Sequence, residues 1–338
     1  MRRPRFKTPE TPTLYHCVSR VVEKLQHFGD PEKEHLTFLL REYEAFCGVT
    51  ILGYCMMSNH FHVLVEVPPR PEILPTAEEL IQRLEQLTAS GVSAAAVRQR
   101  VAMYRALNDV EGEENFLESF FRRMWDVSAF MKLIKQRFSA WFNRRKDREG
   151  TLWSERFQST LVEAGEAVGM VSCYVDLNPI RAGMVTEPES YRWSGYAEAM
   201  AGGKLAQQGI QRVMELFLGQ VENVATSVAE YRRWLYVRGE ERAGSDENGR
   251  PLRLGFSRER VLAVLRDGGQ VSKSEYLRCR VRYFTAGVAL GSREYVEGIF
   301  QRFRQHFGRR RRQGAHPLPG WAEPTLYSLQ KFRPDAVT

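Results

Sequence analysis

Apolar and polar positions change period several times along the chain. Thr13–Val22 (TLYHCVSRVV) is dense in β-branched and aromatic residues and predicts a strand. Asp30-Pro31 opens a helix running to about Phe46, with Leu36, Leu39, Leu40 and Tyr43 at helical spacing. Val49–Met57 and His60–Val67 predict two strands of a hairpin around Ser58-Asn59, and PPRP at 68–71 ends the second. From about Thr76 to Glu118 the period is helical with an acidic end, which reads as an insertion at about 70–120. Asp126–Arg145 is a long helix whose apolar face is Phe130, Leu133, Ile134, Phe138, Trp141 and Phe142. Phe157–Val162 predicts the next strand. Glu166–Leu177 predicts a helix that stops near Asn178, because Pro179 disfavours helical geometry in the residue before it.

Up to Val162 the order is strand–helix–strand–strand–helix–strand, the split βαβ arrangement of ferredoxin-like folds. The expected class is therefore α+β, an antiparallel sheet with helices, followed by a mostly helical C-terminal domain. Ala201-Gly202-Gly203 closes the first unit, giving a domain over 1–200. Residues 201–250 read as a linker and helical connection ending in a polar hinge at Gly239–Pro251, and 251–338 as a basic helical domain. Two helices around a turn at Gly287–Gly291 suggest a helix-turn-helix-like module there.

Composition narrows the class. A chain of 338 residues, 43% hydrophobic and 27% charged, can bury a sizeable core, which excludes a mostly disordered or collagen-like protein. The five cysteines (17, 47, 55, 173, 279) form no CxxC pair and read as reduced thiols. Ala45–Val65 carries no Asp, Glu, Lys or Arg and is long enough to span a bilayer, but Gly48, Gly53 and the Ser58-Asn59 turn interrupt it. No apolar run follows the basic N-terminus, so the expectation is a soluble, cytoplasmic, nucleoid-associated protein. The net charge is +8, and it is unevenly placed: residues 1–250 hold 32 basic and 34 acidic side chains, residues 251–338 hold 17 and 7. Phosphate attraction is thus expected mainly from the C-terminal region.

His60-Phe61-His62 is the sharpest local signal. Side chains alternate along a strand, so both imidazoles leave one face while Phe61, Val63, Val65 and Val67 pack on the other. Such a pair can hold one metal ion, although an H-x-H triplet is also common as plain structure. In SCYVDLNPIRAG, Tyr174 and Asn178 are four apart on a helix, so phenol and amide can address one site. Read by themselves, these two are better taken as a half-buried tyrosine packing on a core and an asparagine ending a helix before Pro179.

MSNHFHVLV (57–65), GTLWSERFQSTLV (150–162), YVDLNPIRAGMV (174–185) and YRWSGY (191–196) occur in that order. Together they resemble the REP-associated branch of the single-tyrosine HUH transposases, over roughly Tyr15 to Tyr196. The resemblance implies that His60 and His62 are metal ligands, that Asn178 is the third, and that Tyr174 is the catalytic nucleophile. It implies a divalent cation, Mg2+ or Mn2+, and a 5′-phosphotyrosine intermediate in cleaving and rejoining single-stranded DNA at hairpin-forming palindromic repeats. It also implies that the protein is a monomer or a homodimer. Two features depart from the family pattern. Asp176 places a carboxylate between Tyr174 and Asn178, and the long insertion suggests an extra cover over the site.

For DNA binding, residues 131–148 hold seven Lys/Arg, including Lys132, Lys135 and Arg144, against one acid. Arg2, Arg3 and Arg5 form a basic N-terminal arm, Arg181 follows the tyrosine helix, and Arg309, Arg310 and Arg311 lie in the densest basic run. Two rival functions stay open: a non-cleaving DNA-binding protein, such as a repressor or domesticated repeat-binding factor, and a metal-dependent hydrolase without a tyrosyl intermediate.

Overall fold

The computed structural model describes residues 5–22, 28–87, 93–185, 187–239, 288–308, 311–318 and 324–331. β1 (Thr13–Arg20) leads into α1 (Asp30–Cys47), then the hairpin of β2 (Thr50–Met56) and β3 (His60–Val67). α1 carries Pro31 in its first turn, where a missing N–H costs nothing, and is capped at its end by Gly48, which takes φ of 63°. α2 (Ala77–Glu85), α3 (Ala94–Ala106) and α4 (Val110–Phe121) form the insertion. α5 (Val127–Arg145) follows, capped by Asp126, which accepts a hydrogen bond of 2.8 Å from Ala129 N–H. After β4 (Gln158–Val162) come α6 (Glu166–Asp176), the single turn α7 (Asn178–Arg181), α8 (Gly195–Met200), α9 (Lys204–Leu218) and α10 (Val224–Gly239).

Strands β1 to β4 take the order β2-β3-β1-β4, antiparallel throughout, which is the ferredoxin-like order expected from the split βαβ pattern. The apolar stretch 45–65 is a hairpin, and no helix among the described residues is long and apolar enough to cross a membrane. One sheet face packs against α1 and α5. Phe61, Val63 and Val65 join Leu36, Leu40, Phe130, Ile134 and Phe138 there, all buried. The other face carries Leu14, Leu64 and Val162 and packs against α6, α8, α9 and α10. α9 lies directly on β2: a Cβ at Gly209 would sit 2.7 Å from the Ile51 carbonyl oxygen, so only glycine allows that approach. The YRWSGY motif has a structural task as well. It seals the β2 edge, with Met56 N–H bonded to Trp193 O at 2.9 Å and Tyr191 Oη donating to Met56 O at 2.6 Å.

Three expectations change here. The insertion does not cover the histidine pair: Leu80, Ile81, Leu84, Val97, Phe120 and Phe121 pack in the α1–α5 layer, on the opposite face of the sheet. Residues 201–250, read as a connection, contribute α9 and α10 to the layer around α6. The charge shift near 251 is not a division of the core. Residues 289–291, expected as a turn between helices, form β5 (Ala289–Gly291), which pairs parallel to β4. α11 (Arg293–Arg302) and the short strands β6 (His316–Pro317) and β7 (Tyr327–Ser328) follow. Among the described residues the sheet thus has seven strands, in the order β2-β3-β1-β4-β5-β7-β6. Glu163 locks this junction, accepting hydrogen bonds from the N–H and Oγ of Ser292 at the start of α11. The hinge at 239–251 and the first of the two helices expected around 287–291 lie outside the described residues, apart from Gly239, which closes α10.

Candidate active site

β3 presents His60 and His62 on the α6 side of the sheet, as strand alternation requires. α6 lies across that face with residues 167–176 all buried, and it brings Tyr174 to the pair. The Tyr174 ring meets His62 edge-on at 5.6 Å between centroids, and His60 and His62 are 5.0 Å apart. A third imidazole, not singled out from sequence, completes the cluster. His16 on β1 lies 5.2 Å from His62 and 5.9 Å from Tyr174, and its Nε2 is 3.0 Å from His62 Nδ1. β1 pairs with β3, with Val18 opposite His62, so His16 reaches the ligand pair diagonally.

The two candidate ligands are held at the same ring atom. His60 Nδ1 is 2.7 Å from Asn59 Oδ1, an atom that can only accept, so His60 carries its proton on Nδ1. His62 is wholly buried, and its Nε2 has no hydrogen-bond partner. Its pKa lies well below the ordinary histidine value, first through burial and then through His60, His16, Arg181 and Arg20. It is a neutral imidazole at neutral pH, the form that binds metals. An orphaned buried ring nitrogen beside a second imidazole fits a cation. Among the described residues no three His, Cys, Asp or Glu side chains are grouped to hold a metal ion. The Asn178 amide nitrogen donates back to the carbonyls of Tyr174 and Val175 at 3.0 and 3.3 Å, so its amide oxygen is the candidate ligand atom. α6 itself ends at Asp176, and α7 resumes at Asn178 with Pro179 in its first turn.

Arg181 stands over the Tyr174 ring, its guanidinium carbon 4.2 Å from the centroid, and also donates to the Tyr174 carbonyl oxygen. Arg20, opposite His60 in the β1–β3 register, adds a second cation that sequence reasoning missed. The centre is therefore electropositive and closed: Tyr174 is 4% exposed and His62 0%.

Asp176 does not enter this centre. Two residues beyond Tyr174, it points to the other side of α6, where Tyr231 of α10 donates to its Oδ2 and Ser172 Oγ lies 2.8 Å from the same phenol. Burial raises its pKa to about 7, opposed by hydrogen bonds from Tyr231 and from the Tyr196 backbone. Between about pH 4 and 7 the folded chain keeps a proton that the unfolded chain has lost. The burial penalty is therefore absent below that window, grows as pH rises through it, and is full above about 7. Asp176→Asn keeps an acceptor for Tyr231 and cannot ionise. Its urea midpoint should gain on the wild type as pH rises from 5 to 8, and an equal pH dependence of the two proteins would exclude the assignment.

Apart from Arg181, the expected DNA-contacting residues separate into three groups. Arg2, Arg3, Arg309 and Arg310 lie outside the described residues. Arg5 and Arg311 are structural, which corrects the reading of the first as part of a basic arm. Arg5 donates to Ser128, Ser159 and the Phe157 carbonyl and lies 3.6 Å over the Phe157 ring. Arg311 donates to the carbonyls of Gln313, Gly314 and Leu329 and packs over Phe300 and Phe307. Lys132 and Arg144 are exposed on α5, whereas Lys135 is half-buried, donates to the Glu155 carbonyl, and has its pKa lowered to about 8 by burial and by Arg5. All three stand on the face of the sheet opposite Tyr174. Phe142 is core and Trp141 is half-buried, stacked on His35 at 4.1 Å.

Comparison with known proteins adds three findings. No curated protein matches the chain. A solved REP-associated tyrosine transposase, bound in its own structure to a REP hairpin, is 13% identical with a TM-score of 0.38, covering 60% of this chain and 87% of its own. The model of the family described as IS200-like transposase matches residues 11–105, a span that includes His16, His60 and His62 but not Tyr174 or Asn178. Through the strands that carry its three clustered histidines, the chain is similar to the IS200-like transposases.

Proposed function

We propose that this protein is a DNA transposase that cleaves and rejoins single strands beside hairpin-forming repeats, with Tyr174 as nucleophile. The observation that carries this reading is the meeting of Tyr174 with the His60–His62 pair, contributed by elements more than a hundred residues apart in the chain. The family match supports the transposase class, and the cations Arg20 and Arg181 supply the charge that a phosphodiester needs.

In the reaction, the Tyr174 phenol loses its proton and its oxygen bonds to phosphorus. The P–O3′ bond breaks, and the leaving 3′ oxygen takes up a proton. The product is a 5′-phosphotyrosine and a free 3′-OH, and the reverse attack rejoins strands without ATP. Arg181 meets the phosphate and Arg20 neutralises the strand beside it. His60, His62 and Asn178 would hold Mg2+ or Mn2+, which supplies Lewis-acid polarisation of the scissile phosphate.

The test is covalent capture of a hairpin oligonucleotide in Mn2+ or Mg2+, read as a band that survives SDS. Binding without any covalent species, across both metals and several repeat sequences, would support the non-cleaving reading instead. Lys132 and Arg144 give a separate prediction for the α5 surface. If they contact phosphates, the double variant Lys132→Gln/Arg144→Gln should reduce the slope of log affinity against log salt by about 2. An unchanged slope would remove α5 from the interface.

A further inference from the structure

His16 is fully buried, and its ring meets both partners of the proposed chemistry, His62 and Tyr174. Its Nε2 lies 3.0 Å from His62 Nδ1, so one nitrogen of the pair carries the shared proton. If His16 were the donor, His62 would carry its own proton on Nε2. That would leave a buried N–H without an acceptor, since His62 Nε2 has no partner. An unpaired buried donor is rarer and costlier than an under-used acceptor. The opposite assignment puts the proton on His62 Nδ1 and leaves a lone pair on Nε2. It also matches His60, whose Nδ1 is held by the Asn59 carbonyl oxygen.

We infer that His16 is a positioning residue: its Nε2 accepts the Nδ1 proton of His62, fixing both the ring angle and the tautomer in which His62 Nε2 is a lone pair. Strands β1 and β3 then act together, one presenting the ligand and the other setting its proton. The inference rests on the reading of His60 and His62 as cation ligands. It adds that the donor set is preorganised before any cation binds. The same imidazole sits against the Tyr174 ring, so it also limits where the nucleophile can stand. Outer partners of this kind change cation affinity when removed, typically by 10–100-fold.

Two measurements on the full-length chain test this. The first is 15N spectroscopy of histidine-labelled apoprotein, with His62→Gln used to assign the signals. His62 should show a protonated Nδ1 and an unprotonated Nε2, and the reverse pattern would overturn the inference whatever the enzyme does. The second is Mn2+ titration followed by the EPR signal of the free ion. His16→Leu offers no acceptor and should weaken Mn2+ binding by about 10–100-fold. His16→Gln, which keeps an acceptor near the same place, should recover most of it. Equal Mn2+ affinity in wild type and a folded His16→Leu would sink the proposal. Tyr174→Phe should leave the titration unchanged, which separates a failure of the tyrosine reading from a failure of this one. If wild type bound no Mn2+ at all, the cation reading would fall, and the spectrum alone would decide the tautomer.

Discussion

Tyr174→Phe should abolish the SDS-resistant protein–DNA adduct, lowering strand cleavage on the order of 10^4-fold or more, as expected when a nucleophile is removed. The substitution is clean because phenylalanine keeps the ring that packs on His16 and His62 and under Arg181. Fold stability should therefore change by no more than about 1 kcal/mol, and hairpin affinity should stay close to wild type. The polarity of the chemistry can be read in the same experiment. An oligonucleotide labelled at its 3′ end should transfer label to wild-type protein, because the phosphotyrosine joins the fragment on the 3′ side of the cut. One labelled at its 5′ end should release a fragment with an extendable 3′-OH. Label arriving on the protein from the 5′ end, or cleavage undiminished in Tyr174→Phe, would exclude the proposed reaction. The second outcome would favour a hydrolase that uses the histidine pair without a tyrosyl intermediate.

Deleting residues 251–338 should prevent stable folding rather than merely weaken DNA binding. On charge alone the segment looks separable, since it holds the excess of basic residues. The structure ties it to both halves of the core. Leu161 pairs with Ala289 and Val162 with Leu290, so the deletion would strip β4 of its outer neighbour. Ala289, Leu290, Val296, Phe300 and Leu329 are buried among residues of the main layers. At about 1.5–3 kcal/mol for each large apolar side chain, their loss rivals the 5–15 kcal/mol that holds a typical domain together. Circular dichroism and urea unfolding of the truncated chain should show no cooperative transition. A cooperative transition near the wild-type midpoint would mean that these contacts are dispensable. Salt dependence of DNA binding is therefore better probed by single charge replacements than by truncation.

Local patterns located nearly every element of the catalytic region. The alternation in His60–Val67 placed both imidazoles on one face, because strand geometry leaves successive side chains no other choice. Helical spacing in Asp126–Arg145 and the Pro179 signal bounded α5 and α6 to within a residue or two. The basic side chains were harder to read. Arg5 and Arg311 look on paper like free charges for DNA, yet each is consumed by backbone carbonyls, hydroxyls and aromatic faces. A guanidinium has five donors and a flat apolar surface, and only the packed neighbours decide whether these face phosphate or protein.

His16 was illegible for a different reason. Within TLYHCVSR it is one polar residue in a strand, and nothing local says that β3 lies beside β1 in the register that brings its ring to His62. Asp176 likewise looked like an intruder beside Tyr174 and Asn178 until α10 supplied Tyr231 as its partner. The sequence by itself determined the order of elements as far as α6, the face on which His60 and His62 stand and the helical spacing of Tyr174 and Asn178, since these follow from periods of two and 3.6 residues. Tertiary structure alone decided that His16 completes the histidine cluster, that the insertion lies behind the sheet, and that β5 binds the C-terminal segment to β4. Each of these depends on contacts between residues far apart in the chain, where register and packing, not local period, set the neighbours.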